Sequence, residues 1–182
     1  MSPRDPAVRW LLAGDPAIRW QVMADLLGET GAEAAAERAR VVRAGWGARL
    51  LMAQAADGMW GGGLYTPKWT STTYTLLLLR WLGLPGANPR ARTGTILLLD
   101  EGIYRDNGIN FWRRWIESSE TCVTGMVLAL AACFAPDGCK ASTGGSITSP
   151  WKQPALPAAG TRCALCGCSR GMNAPERRRL LQ

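Results

Sequence analysis

Through the first 135 positions apolar residues recur at helical spacing, and nowhere do they alternate with polar ones as a half-buried strand requires. Ile18, Val22 and Leu26 share one face and predict a helix that runs on through Leu27 and ends near Gly28. Asp15 followed by Pro16 marks its start: the carboxylate can accept from an unpaired amide of the first turn, and the proline has no amide to leave unpaired. The same hexapeptide pattern occurs ten residues earlier. Asp5-Pro6-Ala7-Val8-Arg9-Trp10 matches Asp15-Pro16-Ala17-Ile18-Arg19-Trp20, and the first copy predicts a single turn or short helix.

A longer repeat has an offset of 49 residues: Asp57 maps to Asp106, Thr72 to Thr121, Thr75 to Thr124, and Arg43-Ala44-Gly45 to Arg92-Thr93-Gly94. In each copy a helix leads into a glycine-containing turn, then a polar stretch, then a more apolar helix. The first copy reads as helix Ala32–Ala55, turn Asp57–Gly63 and helix Ser71–Leu82, stopped by Gly83 and Pro85. The second reads as helix Pro89–Glu101, a longer turn through Trp112, and helix Ser119–Phe134. Repeated helix pairs stack on their neighbours to bury their faces, so the predicted class is all-α, a helical solenoid or closed ring. The last helix carries Val123, Met126, Val127, Leu128, Leu130 and Phe134, the pattern of a helix enclosed on every side, and without a further pair part of that surface is expected to face water.

From Gly138 to Pro175 the character changes. That stretch has no Asp or Glu, no helical period, and recurrent Pro and Gly. The expected organisation is a helical-repeat domain over 1–136 and an irregular tail over 137–182.

Composition narrows the chemistry. The 182 residues include no histidine, which removes Ser-His-Asp and Cys-His catalysis and any histidine-containing zinc site. The net charge is +7, but it rests on arginine, with lysine only at 68, 140 and 152, and no nucleic-acid motif accompanies it. Arg113-Arg114 and Arg177-Arg178-Arg179 are the basic runs; the latter reads as a solvated tail. Six cysteines without a signal-peptide pattern, and no apolar stretch of about 20 residues, lead us to expect a cytoplasmic protein with reduced thiols and no transmembrane segment.

The stretch Leu50-Leu51-x3-Gln54-Ala55-Ala56-Asp57-Gly58-Met59-Trp60 resembles the QW motif of squalene and hopene cyclases and their prenyltransferase-like relatives. Leu50, Gln54, Gly58 and Trp60 fit it; Arg49 stands where an aromatic is usual. Lys68-Trp69-Thr70-Ser71-Thr72-Thr73-Tyr74, Asn110-Phe111-Trp112 and Ser119-Glu120-Thr121-Cys122 are also similar to bacterial squalene-cyclase-like sequences. The resemblance covers residues 5 to about 135. It implies a partial α/α toroid around an apolar cavity that takes isoprenoid chains, with Gln54, Gly58 and Trp60 bracing a helix-pair junction. The Asp-x-Asp-Asp run of the cyclases is absent, and the zinc site of the prenyltransferases needs a histidine. With two helix pairs and a leading helix, the chain reads as half a toroid, truncated, inactive by itself, and inclined to associate through open flanks. A helical-repeat scaffold without a small ligand is the alternative.

Specific residues follow. Trp69, Tyr74, Trp112 and Trp115 sit near the inter-helix turns and are candidates to line an apolar ligand site. Glu117, Glu120 and Cys122 are candidates for acid and nucleophile, against the simpler reading of a capped helix start; no base stands beside the thiol. Cys163, Cys166 and Cys168, with Cys139 upstream, could supply thiolates to a metal, although the paired knuckles of a complete site are missing. No cofactor is expected. Gly58-x-x-Gly61-Gly62-Gly63 lacks the strand and the Lys-Ser/Thr ending of a phosphate loop and reads as a turn.

Overall fold

The computed structural model describes residues 2–135, and within them every regular element is helical. Two short helices, α1 (Pro6–Leu12) and α2 (Pro16–Gln21), begin as the repeated hexapeptide dictates. Asp5 accepts the Ala7 amide and Asp15 the Ala17 amide, each at 2.9 Å. A π-helical turn over Val22–Leu26 continues α2, and Gly28, at φ 70°, ends it.

The helix expected over Ala32–Ala55 is two helices, α3 (Ala32–Arg40) and α4 (Gly45–Met52). The break has a local cause. Gly45 takes φ 70°, and the Trp46 amide turns to the Asp15 carboxylate at 2.8 Å, so α4 restarts under a side chain from another helix. Apolar periodicity runs through both segments and hides the interruption. Beyond them lie α5 (Thr72–Trp81), α6 (Pro89–Gly102) and α7 (Thr121–Phe134), close to the expected limits.

Helices α5, α6 and α7 pack mutually, α4 lies against α5 and α2, and α2 packs on α3. The main core joins Leu51, Trp60, Leu76, Leu79, Leu98, Val127, Leu130 and Phe134. The N-terminal helices add Val8, Ala17, Val22, Ala34 and Val41, all buried. Buried Glu37 is held by Arg19 at 2.8 Å and Arg40 at 3.3 Å. The end of α5 is gripped from far upstream: the Trp20 indole donates to the Leu82 carbonyl at 2.9 Å, and Arg38 donates to the Gly83 carbonyl at 2.8 Å.

Helix α7 is not enclosed all round. Val123, Val127, Leu130 and Phe134 form one buried face, while Cys122, Gly125 and Ala132 are exposed. Its uniformly apolar composition reflects small residues on the outer side rather than burial on every side. The domain boundary expected at 136/137 lies outside the described residues.

Candidate functional site

The 49-residue repeat appears in the backbone as two turns with the same hydrogen bonds. Ala55 donates to the Met59 carbonyl and Tyr104 to the Gly108 carbonyl, both at 2.9 Å. Asp57 accepts the Met59 amide, and Asp106 accepts the Gly108 amide. The left-handed position is Gly58 in one, at φ 83°, and Asn107 in the other, at φ 63°. Each turn then docks on the next helix through a threonine hydroxyl: the Trp60 amide on Thr72 at 3.1 Å, the Ile109 amide on Thr124 at 2.8 Å. The anchoring threonines are thus Thr72 and Thr124, not the pairs aligned by the constant offset, because the second connection is longer. Asp106 also accepts the Ser119 amide at 2.8 Å, a bond that chiefly holds its carboxyl below the usual carboxylate range.

Gln54, Gly58 and Trp60 meet at the junction of α4, α5 and α6. Gln54 donates to the carbonyls of Gly58 and Arg90, at 2.8 and 3.0 Å. The Trp60 indole donates at 2.7 Å to the Leu50 carbonyl near the C-terminal end of α4, which also accepts the Ala53 amide at 3.2 Å. Trp60 is 2% exposed, and a Cβ on Gly94 of α6 would lie 2.8 Å from its ring. The absence of a side chain at Gly94 is what lets the indole lie against that helix.

From this junction an aromatic run leads outward along the two loops. Trp69 contacts Tyr74 at 5.1 Å between ring centroids, Tyr74 contacts Tyr65 at 5.2 Å, and Tyr65 meets Trp112 edge-on at 4.9 Å and Phe111 at 6.3 Å. The hydroxyls of Tyr65 and Tyr74 are hydrogen-bonded to each other at 2.8 Å. That bond, with burial and the nearby Cys122 and Glu120, raises the Tyr65 pKa to about 12. Tyr65 and Phe111 were not singled out as site residues from the sequence. Tyr65 carried no periodic signal, sitting in a loop and reached only through tertiary contact.

The run opens into a shallow depression of about 270 Å³ between the loops, bordered by Leu64, Phe111, Trp112, Trp115, Arg113 and Arg114, with Glu101 and Asn110 at its edge. Buried Asn110 shapes this wall. Its amide donates to the Ile116 and Ser118 carbonyls at 2.7 and 2.8 Å, and its oxygen accepts the Trp112 amide at 2.7 Å. The Arg113 guanidinium caps the end of α6 by donating to the carbonyls of Glu101 and Ile103. Trp112 is half-buried, whereas Trp69 and Trp115 are 77% and 84% exposed. Trp69 also takes φ 73°, a conformation costly for a bulky side chain.

The other candidates are dispersed. Glu117 is exposed and pairs with Arg105 at 3.5 Å across solvent, a weak surface contact. Glu120 occupies the position before α7 without a side-chain cap bond, and Cys122 is exposed. Both lie close enough to Tyr65 to affect its titration, but Glu117 does not join them. Among the described residues no group of three or more Cys, Asp or Glu could hold a metal ion, and no helix is long and apolar enough to cross a membrane. Cys139, Cys163, Cys166, Cys168 and Arg177-Arg178-Arg179 lie outside the described residues. Comparison with protein-family models, curated proteins and solved structures finds no significant match.

Proposed function

We propose that this chain is an α/α-toroid-like binding protein, similar to terpenoid cyclases and prenyltransferases, that holds an apolar isoprenoid-type ligand against its aromatic run. The observation that carries this reading is the continuous contact from Trp69 through Tyr74 and Tyr65 to Trp112, ending in a depression edged by Arg113 and Arg114. An extended hydrocarbon gains by covering aromatic faces that otherwise meet water, and an anionic end group pairs with the arginines. The repeated turns and the Gln54–Trp60 junction support kinship with toroid repeats. The role proposed is binding, without catalysis.

Thermal unfolding with farnesyl diphosphate, a squalene analogue and inorganic pyrophosphate tests this. A ligand of the native state raises Tm in proportion to its occupancy. The expected result is a rise with the farnesyl compound, smaller in Trp112→Ala, and none with pyrophosphate alone. No rise with either hydrocarbon ligand overturns the reading.

A second reading is favoured by the exposed outer side of α7 and the openness of the depression: a helical-repeat scaffold whose aromatic end or open flank meets a protein, including a second copy. Light scattering of the full chain separates the two, since self-association without any ligand response supports the scaffold.

A further inference from the structure

We infer that the loop end of the molecule carrying Trp69 and Trp115 docks on an anionic membrane surface. These two tryptophans are 77% and 84% exposed, on the loops leading into α5 and α7; ring contacts run from Trp69 through Tyr74 and Tyr65 to Trp112, which borders the same depression as Trp115. Neither indole N–H has a partner among the described residues. A large apolar ring with a free polar tip is suited to the boundary between acyl chains and headgroups, where tryptophan is enriched.

The charges nearest the two indoles in the chain are cations, while Glu101 lies at the edge of the depression and Glu117, two residues beyond Trp115, is paired with Arg105. Segments 61–70 and 110–116 contain Lys68, Arg113 and Arg114 and not one Asp or Glu. All three cations are exposed, and none forms an ion pair among the described residues. Lys68 precedes Trp69, and Arg114 precedes Trp115, so each indole has a cation beside it in the chain. That pairing fits a surface of phosphate headgroups over hydrocarbon, where a basic residue adds attraction while the ring is buried. Stacking on single-stranded nucleic acid also uses aromatic and basic residues, but there successive bases stack on aromatics along a groove that tracks the backbone. Here the most exposed rings stand on two separate loops, and only Trp115 borders the shallow depression. The inference stands whether or not the depression takes an isoprenoid-type ligand, which the soluble-ligand melts address separately.

The test is co-sedimentation of the full chain with phosphatidylcholine vesicles, with and without phosphatidylglycerol. Binding is expected to the anionic vesicles, to weaken with salt, and to be much lower on neutral ones. Trp69→Ala with Trp115→Ala, and separately Lys68→Glu with Arg114→Glu, should each reduce binding by about tenfold or more. Trp10→Ala with Trp81→Ala, at tryptophans 75% and 68% exposed elsewhere on the surface, should leave binding unchanged. All substituted side chains are exposed, and circular dichroism verifies that each variant is folded. Four outcomes overturn the inference: no sedimentation, equal binding to both vesicle types, retention of binding by both loop variants, or equal loss in the Trp10/Trp81 control. Tighter binding of a single-stranded oligonucleotide through the same residues also overturns it.

Discussion

The Trp46 amide donates to the Asp15 carboxylate at 2.8 Å across 31 positions of sequence, while the other oxygen of that carboxylate accepts from Ala17. One side chain therefore caps α2 and α4 together. Asp15→Ala should cost about 2 kcal/mol, twice an ordinary cap loss, and Asp15→Asn about half that, since its amide keeps one acceptor. A Cβ on Gly45 would stand 2.0 Å from Asp15, so Gly45→Ala should cost as much, and the two losses should not add. Urea denaturation of the single and double variants measures both; fully additive losses would show that the two sites act independently.

The equivalent turns predict an asymmetry. Gly58 and Asn107 share a left-handed backbone, but a Cβ on Gly58 would come within 2.8 Å of Thr93 and 2.9 Å of Leu97, whereas Asn107 is exposed. Asn107→Gly should change stability by less than about 0.5 kcal/mol, because both residues tolerate this conformation. Gly58→Asn should cost about 2 kcal/mol through overpacking against α6. Equal effects at the two positions would refute the comparison.

Trp60→Ala should cost about 3–5 kcal/mol, the range for a buried large aromatic. Trp60→Phe isolates the bond to the Leu50 carbonyl and should cost about 1 kcal/mol, because that carbonyl keeps the Ala53 amide at 3.2 Å. A loss below about 1 kcal/mol for the alanine variant would mean that Trp60 does not brace this junction.

Alkaline titration reports on the tyrosine pair. With Tyr65 raised to about 12 from 10.0, its contribution to stability is complete below pH 10 and is lost as pH rises toward 12. Of the three tyrosines, one should ionise late in the ultraviolet absorbance of phenolate, and Tyr74→Phe should bring that step back toward 10. An unchanged late step in that variant would exclude the hydroxyl pair as its main cause.

Asn110→Leu keeps the branched shape but removes the three bonds that fold the Phe111–Ser118 loop. The expected loss is about 2–4 kcal/mol, with the response to farnesyl diphosphate abolished as well. A stable variant that still responds would separate the loop from the ligand.

The helical class, and most helix limits, were legible because local signals agreed: Asp-Pro at residues 5–6 and 15–16, Asn88-Pro89, and apolar spacing through α5, α6 and α7. The break before Gly45 was not, since its cause is a carboxylate 30 positions away and the apolar period continues across it. At the candidate site, the tryptophan-rich loops were visible as composition, but their exposure was not, because tryptophan is as much a core residue as a surface one. Tyr65 escaped notice for a related reason. Its partners Tyr74 and Trp112 come from α5 and from the loop before α7, and only folding brings them together.

The grip of Trp20 and Arg38 on the Leu82 and Gly83 carbonyls makes the opening segment a closure for the far end of α5. Those carbonyls belong to the C-cap of that helix and to the residue after it, and Gly83 itself, at φ 88°, leaves no room for a side chain beneath the Trp20 ring. A version of the chain lacking its first 40 residues would leave α5 frayed at its exit. The leading helices and the first repeat are therefore expected to open together, so that amide exchange at the end of α5 should quicken in a Trp20→Ala variant, although Trp20 belongs to the leading helix and not to the repeat.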